Sequence, residues 1–355
     1  MKTCFLSYNI MPTSTGDYFI ALSNKLSEKN KVIVLAGKIR DTEIELNKNI
    51  IVLKWPCERP SSWKDFLFLY KLLREYKPDM MISMFSFVNP FLIMGWLFRI
   101  KKRIAWIRTL SSQFELGQKK YKILRKSIIY SLATDIITNS HTTKQDANVF
   151  FKIPERKITI LPNSVKDYGH LLKDIKTNRN VLLYVGRLHP SKGIDVLIQA
   201  FSKVVKKNPN LQLHIIGEGQ ILQELLSFTE KLKISDKVYF LGHKNKETVL
   251  KAYKMSYCTI IPSQSEAFGF TVIEAMSAGT CVIGANNTGI KEIIINNKTG
   301  LLFETGNSEN LAMSLQKLLF DTSFRNNLAK AGYSRYLQFY EYAYAINRDV
   351  NFFNK

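Results

Sequence analysis

The stretch Ser263–Gly279, which reads SQSEAFGFTVIEAMSAG, decides the fold of the second half of this 355-residue chain. An apolar run, Cys258–Ile261, ends at Pro262 and predicts a buried strand followed by a turn. Apolar residues recur at helical spacing after Gly269, and Gly279 marks the end of that helix. The stretch therefore predicts a strand, a loop and a helix, the order typical of a parallel α/β sheet.

Two glutamates flank the predicted helix start, with seven residues between them. Glu266 falls in the loop and Glu274 about one turn into the helix. The free backbone N–H groups near Phe270 and Thr271, together with the helix dipole, suit a phosphate. A carboxylate in the loop can accept hydrogen bonds from hexose hydroxyls, and one on the helix can accept them from ribose hydroxyls. Taken alone, the pair also fits two solvated glutamates beside a helix start.

Strands and helices alternate along the whole chain, which predicts two doubly wound parallel sheets separated by a polar linker at Lys166–Asn180. The predicted strands are Cys4–Tyr8, Val32–Ala36, Ile50–Trp55, Met80–Met84, Ile104–Ile107, Asp135–Asn139, Ile158–Leu161, Val181–Val185, Leu211–Ile216, Val238–Leu241, Cys258–Ile261 and Cys281–Ala285. The predicted helices are Asp17–Lys29, Ser62–Tyr76, Phe91–Phe98, Ile194–Lys207, Ile221–Leu232, Glu247–Met255, Thr271–Ser277, Leu311–Leu319 and Tyr342–Phe353. Ligands of such folds bind beyond the carboxyl ends of the strands, here in a cleft between two domains.

A second site signal lies in the loop after Val181–Val185. Arg187 follows Gly186 there, and Lys192 stands just before the next helix. Arginine can bond two phosphate oxygens at once, and lysine adds a point charge. The two cations could therefore stabilise a departing diphosphate, although two exposed loop cations are the plain alternative.

The charge of the chain is strongly basic, with a formal net charge of +22. Residues 1–170 carry 28 Lys and Arg against 14 Asp and Glu, and the remainder carries 23 against 15. One cluster is Lys101, Lys102 and Arg103; another is Lys119, Lys120, Lys122, Arg125 and Lys126, on a predicted helix whose apolar residues Tyr121, Leu124, Ile128 and Leu132 repeat at helical spacing. Such a helix suits an anionic membrane surface, with a plain solvated face as the alternative and nucleic acid less favoured.

Targeting and redox features point to the cytoplasm. The start of the chain is too short and too polar for a signal peptide. The four cysteines are scattered, and Cys4, Cys258 and Cys281 fall in strand-like runs, as expected of reduced core residues. The uncharged stretch Met80–Phe98 contains polar residues, so we expect a strand and a buried helix broken at Asn89-Pro90 rather than a membrane span.

The motifs GRLxxxKG, HIIGEG, VYFLGH and SEAFGFTVIEAMSAG, in this order, resemble the C-terminal domain of retaining glycosyltransferases of family 4, which have the GT-B fold. The resemblance is specific over Val181–Phe303 and looser before it. It implies an acceptor-side Rossmann-like domain at 1–168, to which the final helix at 340–355 returns, and a nucleotide-sugar-binding Rossmann-like domain at 169–339.

The resemblance also implies roles for residues. Arg187 and Lys192 would bind the donor pyrophosphate, Glu274 the donor ribose, and Glu266 the transferred sugar. In the first half, Leu161–Val165 is similar to a family element that includes Asn163. The implied catalytic set is Arg187, Lys192 and Glu266, and the implied substrate-binding set is Gly16, Arg108, Asn163, Gly186, His243, Lys244, Phe268, Gly269, Phe270, Thr271 and Glu274.

The expected reaction is transfer of a hexose or N-acetylhexosamine from a nucleotide sugar to a glycan or lipid-linked acceptor, and the expected donor is a UDP-sugar. No Asp-X-Asp triplet occurs, and Asp41 and Glu43 come nearest, so we expect no catalytic metal and no cofactor beyond the donor. We expect a cytoplasmic protein with peripheral contact at the inner face of the membrane. The alternatives are a nucleotide-sugar 2-epimerase of the same fold and a partner subunit that has lost catalysis.

Overall fold

The chain folds into two compact units. The first comprises Met1–Asn163 with Tyr342–Lys355, and the second Ser164–Glu341. The computed structural model describes residues 1–41, 44–57, 62–110, 120–169 and 172–354. In both units the strands pair in parallel, so the carboxyl ends of all strands of a sheet lie along one edge.

The first unit is built on a seven-stranded sheet of order β3-β2-β1-β4-β5-β6-β7. Its strands are β1 (Lys2–Ser7), β2 (Asn30–Ala36), β3 (Ile51–Lys54), β4 (Met80–Met84), β5 (Lys102–Ile107), β6 (Asp135–Thr138) and β7 (Ile158–Ile160). Its helices are α1 (Ser14–Ser27), α2 (Trp63–Tyr76), α3 (Val88–Leu97), α4 (Lys120–Ser131), α5 (His141–Phe151) and the chain-terminal α13 (Tyr342–Asn354).

Side chains from the two faces of this sheet enter separate cores. On one face α1 and α13 pack over a core that includes Leu6 and Trp106, to which α13 contributes Ile346, Val350 and Phe353. On the other face one core lies beneath α2 and α3 and another beneath α4 and α5, and α3 contributes residues to both. The prediction that the last helix returns to the N-terminal half is therefore confirmed.

The second unit has a six-stranded sheet of order β10-β9-β8-β11-β12-β13. Its strands are β8 (Asn178–Val185), β9 (Gln212–Ile216), β10 (Val238–Phe240), β11 (Ser256–Ile261), β12 (Cys281–Ala285) and β13 (Leu301–Phe303). Its helices are α6 (Ile194–Val205), α7 (Leu222–Lys231), α8 (Lys246–Met255), α9 (Phe270–Ser277), α10 (Ile290–Ile293), α11 (Ser308–Phe320) and α12 (Thr322–Phe339). Both faces of the sheet are covered by helices, as the alternating pattern predicts.

The predicted strands and helices are all present, and their ends agree to within three residues. One detail is wrong: Asn89-Pro90 does not break the chain but lies in the first turn of α3. Proline is tolerated there because the first helical N–H groups have no partner within the helix. The direction of the chain changes instead at Phe85, whose φ is +53°.

The segment Lys166–Asn180, predicted as a linker, contributes to the second unit. Tyr168 and Leu172 are buried in its core, and Asn178 begins β8. The stretch Met80–Phe98 forms β4 and the ten-residue α3. Among the described residues, no helix combines the length and the apolar character needed to cross a bilayer.

Candidate active site

The predicted donor-site residues follow the strands of the second sheet, at its carboxyl edge. Because β8 lies between β9 and β11, the loops after these three strands are neighbours. The backbone N–H of Gln264, after β11, donates to the carbonyl oxygen of Ser191, after β8, at 2.9 Å. The loops that carry the two sequence signals are thus bonded to each other.

Glycines allow these loops to approach closely. Gly217 has a φ of +139°, and a Cβ there would lie 1.9 Å from the carbonyl oxygen of Gly186. A Cβ on Gly193, whose φ is +62°, would lie 2.3 Å from the carbonyl oxygen of Pro262. Side chains at these positions would force the loops after β8, β9 and β11 apart.

Lys192 and Glu266 form an ion pair between the loops after β8 and β11. Their side chains are 18% and 22% exposed, so the pair is partly shielded from water yet open to a ligand. The hydroxyl of Ser263 donates to the same carboxylate oxygen of Glu266 at 2.9 Å. A cation and a carboxylate that touch can together bind a phosphate and an adjoining hydroxyl group.

Thr288, in the loop after β12, fixes the backbone of Glu266. Its hydroxyl donates to the carbonyl oxygen of Glu266 at 2.6 Å and accepts from the backbone N–H of Glu266 at 3.1 Å. Gly289 adds a backbone hydrogen bond to the same carbonyl at 2.9 Å. Three polar contacts thus hold this carboxylate on a loop that regular secondary structure does not stabilise.

Glu274 lies on α9, where the hydroxyl of Tyr253 donates to its carboxylate at 3.2 Å. Tyr253 is fully buried, and Thr271 is hydrogen-bonded to the same phenol. Burial, and then the charge of Glu274, raise the pKa of Tyr253 well above its ordinary value. The phenol therefore remains a hydrogen-bond donor and orients the half-buried carboxylate.

The start of α9 is shaped for a close approach. Gly269 stands before the helix with a φ of +108°, and no side chain caps the helix there. Phe268 is buried, and a Cβ on the neighbouring Gly289 would lie 2.6 Å from its backbone. Phe270 packs edge-on against Phe268 with ring centroids 5.9 Å apart.

The remaining predicted residues of this unit are more exposed. Arg187 projects from the loop after β8, and its carbonyl oxygen accepts from the buried hydroxyl of Tyr184 at 3.0 Å. Burial, and then Glu266, raise the pKa of Tyr184. The backbone N–H of His243 donates to Glu218 at 3.2 Å, while the side chains of His243 and Lys244 face outward.

Gly16, Arg108 and Asn163 belong to the first unit. The guanidinium of Arg108 lies 3.5 Å from the hydroxyl of Thr15, so this unit places it beside the first turn of α1, which holds Gly16. Gly16 has a steric role, because a Cβ there would lie 2.1 Å from the carbonyl oxygen of Met11.

Arg108 is 8% exposed, and its guanidinium carbon lies 5.3 Å from the ring centroid of Phe19 and 5.8 Å from that of Trp106. Burial lowers the pKa of Arg108 to about 10, against the opposing effects of Tyr18 and Asp349. The guanidinium therefore remains charged at neutral pH.

Asn163 is 4% exposed, and within the described part of the chain neither polar atom of its side chain has a hydrogen-bond partner. An amide buried in this way is costly unless another group satisfies it.

Sequence reasoning missed Ser263, Thr288, Tyr184 and Tyr253. Thr288 follows the strand next to β11, so the rule that parallel strands end at one edge could have indicated it. The two tyrosines carry no such signal, because a tyrosine in a strand or helix is typical of any core.

Among residues 1–41, 44–57, 62–110, 120–169 and 172–354, no group of three or more His, Cys, Asp and Glu side chains could hold a metal ion. Glu43 lies outside these ranges.

Comparison with protein families identifies the class. Residues 173–335 match the family described as glycosyl transferases group 1, and residues 16–167 match glycosyltransferase family 4. An uncharacterized glycosyltransferase of Methanocaldococcus jannaschii is 30% identical over 281 residues, which are 71% of this chain and 68% of that protein. The chain therefore belongs to the group 1 glycosyltransferases of family 4, as the motifs predict.

Other relatives agree on the class. A second M. jannaschii glycosyltransferase is 31% identical over 218 residues, 57% of this chain and 56% of that protein. The capsular polysaccharide biosynthesis glycosyltransferase CapM of Staphylococcus aureus is 28% identical over 247 residues, 66% of this chain and 65% of CapM. The chain thus matches little more than half of one relative and about two thirds of the others.

A solved structure of Anabaena HepE in complex with UDP superimposes with a TM-score of 0.78 at 17% identity, covering all of both chains. This likeness concerns the fold. Together with the two parallel sheets, it places the chain in the GT-B architecture.

Proposed function

We propose that this protein is a retaining glycosyltransferase that moves a hexose or N-acetylhexosamine from a UDP-sugar to a glycan or lipid-linked glycan. The contact between Lys192 and Glu266 carries the proposal. In a nucleotide sugar the sugar hydroxyls adjoin the phosphate that carries the sugar. A cation touching a carboxylate matches that junction, with Lys192 on the phosphate and Glu266 on the sugar.

The neighbouring groups extend this arrangement in the direction of the nucleotide. The amides at the start of α9, together with the helix dipole, suit the diphosphate, and Arg187 offers a second cation. Glu274, oriented by Tyr253, is available for the ribose hydroxyls. The UDP in the HepE structure and the polysaccharide role named for CapM support a UDP-sugar donor and a glycan acceptor.

In the proposed reaction an acceptor hydroxyl oxygen bonds to the anomeric carbon on the face that the diphosphate leaves. The bond between that carbon and the phosphate oxygen breaks, and the acceptor proton passes to the departing phosphate. Lys192 and Arg187 stabilise the charge that develops on the diphosphate. Glu266 holds the sugar by its hydroxyls, and the chemistry requires no resident metal ion.

The test is incubation with UDP-glucose or UDP-N-acetylglucosamine, with and without a glycan acceptor, followed by assay of UDP and sugar products. A transferase releases UDP in proportion to the acceptor consumed, with an α-linkage retained in the product and with EDTA having little effect. A 2-epimerase would convert UDP-N-acetylglucosamine to its epimer without an acceptor. Neither product with any donor would support a partner subunit that has lost catalysis.

The exposed residues of α4 support an acceptor that lies at a membrane. Its apolar residues Tyr121, Leu124 and Ile128 are 58%, 62% and 57% exposed. Lys120 and Arg125 are exposed beside them, whereas Lys119 lies outside the described residues. A basic helix with an outward apolar stripe suits an anionic lipid surface. Neutralising Lys120, Lys122 and Arg125 to Gln should weaken binding to anionic vesicles at low salt, and equal binding by the variant would contradict this role.

A further inference from the structure

A second apolar surface of the first unit lies outside α4 and has no part in the proposed chemistry. Three residues of α2 form it, with exposed fractions of 70% for Trp63, 45% for Leu67 and 41% for Tyr70. The end of α3 adds Trp96, 53% exposed, and Leu97, 57% exposed. We call these five residues the Trp63–Trp96 surface. Two tryptophans that are each more than half exposed on one surface are unusual, because burial of this side chain is strongly favourable.

The five residues lie on one side of the sheet. Strand pairing puts Phe5 of β1 and Met81 of β4 on the same face, and both belong to the core beneath α2 and α3. The two helices contact each other, and the rings of Tyr70 and Phe98 lie 5.6 Å apart. Residues 63, 67 and 70 have the spacing of one helical stripe, which here points away from that core.

The two tryptophans mark opposite ends of this helical layer. Because the flanking strands are all parallel, α2 and α3 return the chain across the sheet in the same direction. Trp63 begins α2, and Trp96 stands next to the last residue of α3. A helix of 14 residues is about 20 Å long. The surface therefore extends over about the length of α2.

The charges around this surface are mostly positive. Exposed cations on or next to the two helices are Lys64, Lys71, Arg74, Lys77, Arg99 and Lys101. Glu75 is the one acidic residue exposed on α2, because Asp65 is buried in the capping box at the helix start. Lysine is depleted at protein–protein interfaces, whereas a border of lysine around tryptophan is typical of a protein at an anionic lipid headgroup layer.

We propose that the Trp63–Trp96 surface docks on an anionic lipid bilayer, with both indoles inserted at the headgroup level. The inference goes beyond the proposed function because it involves neither donor nor acceptor. It also differs from the attraction of α4 to anionic lipid. Inserted indoles contribute apolar burial that salt does not screen, whereas the lysines of α4 act through charge. The helices α2 and α3, which carry the surface, lie on the same face of the sheet as α4, and α3 contacts α4.

The chain carries its own reporters for this test. Of its four tryptophans, Trp55 and Trp106 are 2% and 1% exposed, whereas Trp63 and Trp96 are the two on the proposed surface. On vesicles of phosphatidylcholine and phosphatidylglycerol, tryptophan emission should shift to shorter wavelength and be quenched by lipids brominated near the headgroup. In the variant W63F/W96F, which keeps two aromatic rings, binding should persist while most of the shift and the quenching disappear.

Binding itself is measured by co-sedimentation at about 0.3 M salt, at which attraction by surface charge is strongly screened. The variant W63A/W96A should reach half-saturation only at a lipid concentration at least about tenfold higher than the wild type needs. The control M313A/F320A removes two side chains of α11 in the second unit that are 65% and 94% exposed, and it should bind like the wild type. All variants should keep the wild-type melting temperature, because these side chains pack little in the fold.

Three results would overturn the proposal. The first is equal vesicle binding by W63A/W96A and the wild type, and the second is co-sedimentation without quenching. The third is a dimer in solution that W63A/W96A converts to monomer, since a second copy of the chain would then be what covers the surface. Sugar transfer is assayed without vesicles, so failure of the docking proposal and failure of the proposed transferase can be told apart.

Discussion

The carboxyl edges of the two parallel sheets are built in different ways. In the second unit, polar side chains from separate loops bond to one another, with Lys192 on Glu266 and Thr288 on the backbone of Glu266. In the first unit, Arg108 lies over aromatic rings and is backed by a buried Tyr18–Asp349 contact. Residues that bond across loops constrain each other, whereas Arg108 is held by burial and by aromatic rings of its own unit.

The largest effects are expected where the second edge is broken. Lys192→Ala should lower kcat by roughly 10²–10³-fold, because a charge facing the departing diphosphate acts mainly in the transition state. Glu274→Ala should chiefly raise the KM for the donor. The matched control is Lys203→Ala, which removes a lysine of α6 paired with Glu309 at the surface. Steady-state kinetics with a radiolabelled UDP-sugar measures all three, and a large loss in the control would point to a structural cause.

A change at the first edge should separate acceptor from donor. Arg108→Gln removes a charge that is 8% exposed yet still ionised, since its pKa is only lowered to about 10. We expect the KM for the acceptor to rise by about tenfold, as for the loss of a charged hydrogen bond, with the donor KM unchanged. Arg74→Gln, an exposed arginine on α2, is the control. A rise in the donor KM instead would remove Arg108 from the acceptor side.

A smaller effect should follow from the loss of a positioning residue. Thr288→Val removes both hydroxyl contacts to the Glu266 backbone and should lower kcat/KM by about tenfold. Thr299→Val removes a comparable contact, the 2.9 Å bond from the backbone N–H of Ile295, elsewhere in the same unit. Both variants should lose about 1 kcal/mol of stability, so similar melting temperatures with different activities would isolate positioning from stability.

The start of α9 allows a finer comparison. Gly269→Ala and Gly306→Ala both put a methyl group at a positive φ, +108° and +80°, without a contact closer than 3.4 Å. Each should cost about 1 kcal/mol of stability from backbone strain. Only Gly269→Ala should weaken UDP binding, by a few fold, because it perturbs the amides at the helix start. Isothermal titration with UDP measures this, and equal affinities would argue against those amides as the phosphate site.

The smallest effect concerns the buried acid of the first unit. Burial raises the pKa of Asp349 above its ordinary value of 3.8, opposed first by Arg348. A folded-state pKa above the unfolded one stabilises the fold most at low pH, and that contribution fades as pH rises through the folded pKa. The melting temperature of Asp349→Asn should therefore increase relative to that of the wild type as pH rises from about 4. A constant difference between the two proteins across this range would contradict the shift.

Much of the fold could be predicted from the sequence, because buried parallel strands are short apolar runs bounded by turns. The helices His141–Phe151 and Thr322–Phe339 were missed, since their apolar residues do not form a clear stripe. The strand Leu301–Phe303 was missed because three residues are too few to show a periodic pattern of apolar residues. The paired signals Lys192 and Glu266 were recognised from their motifs.

The contacts of these residues could not be predicted, since they join positions 74 and 22 residues apart in the chain. The exposure of Trp63 and Trp96 could not be predicted from the sequence either. Sequence periodicity marks apolar residues of a helix but does not tell which of them the core leaves uncovered.

The most direct measurement is a crystal structure of the protein with UDP. We expect the diphosphate within hydrogen-bonding distance of Lys192, Arg187 and the amides at the start of α9, with the ribose on Glu274. UDP bound elsewhere, or Lys192 still held by Glu266 with no phosphate near it, would show that these residues do not form the donor site.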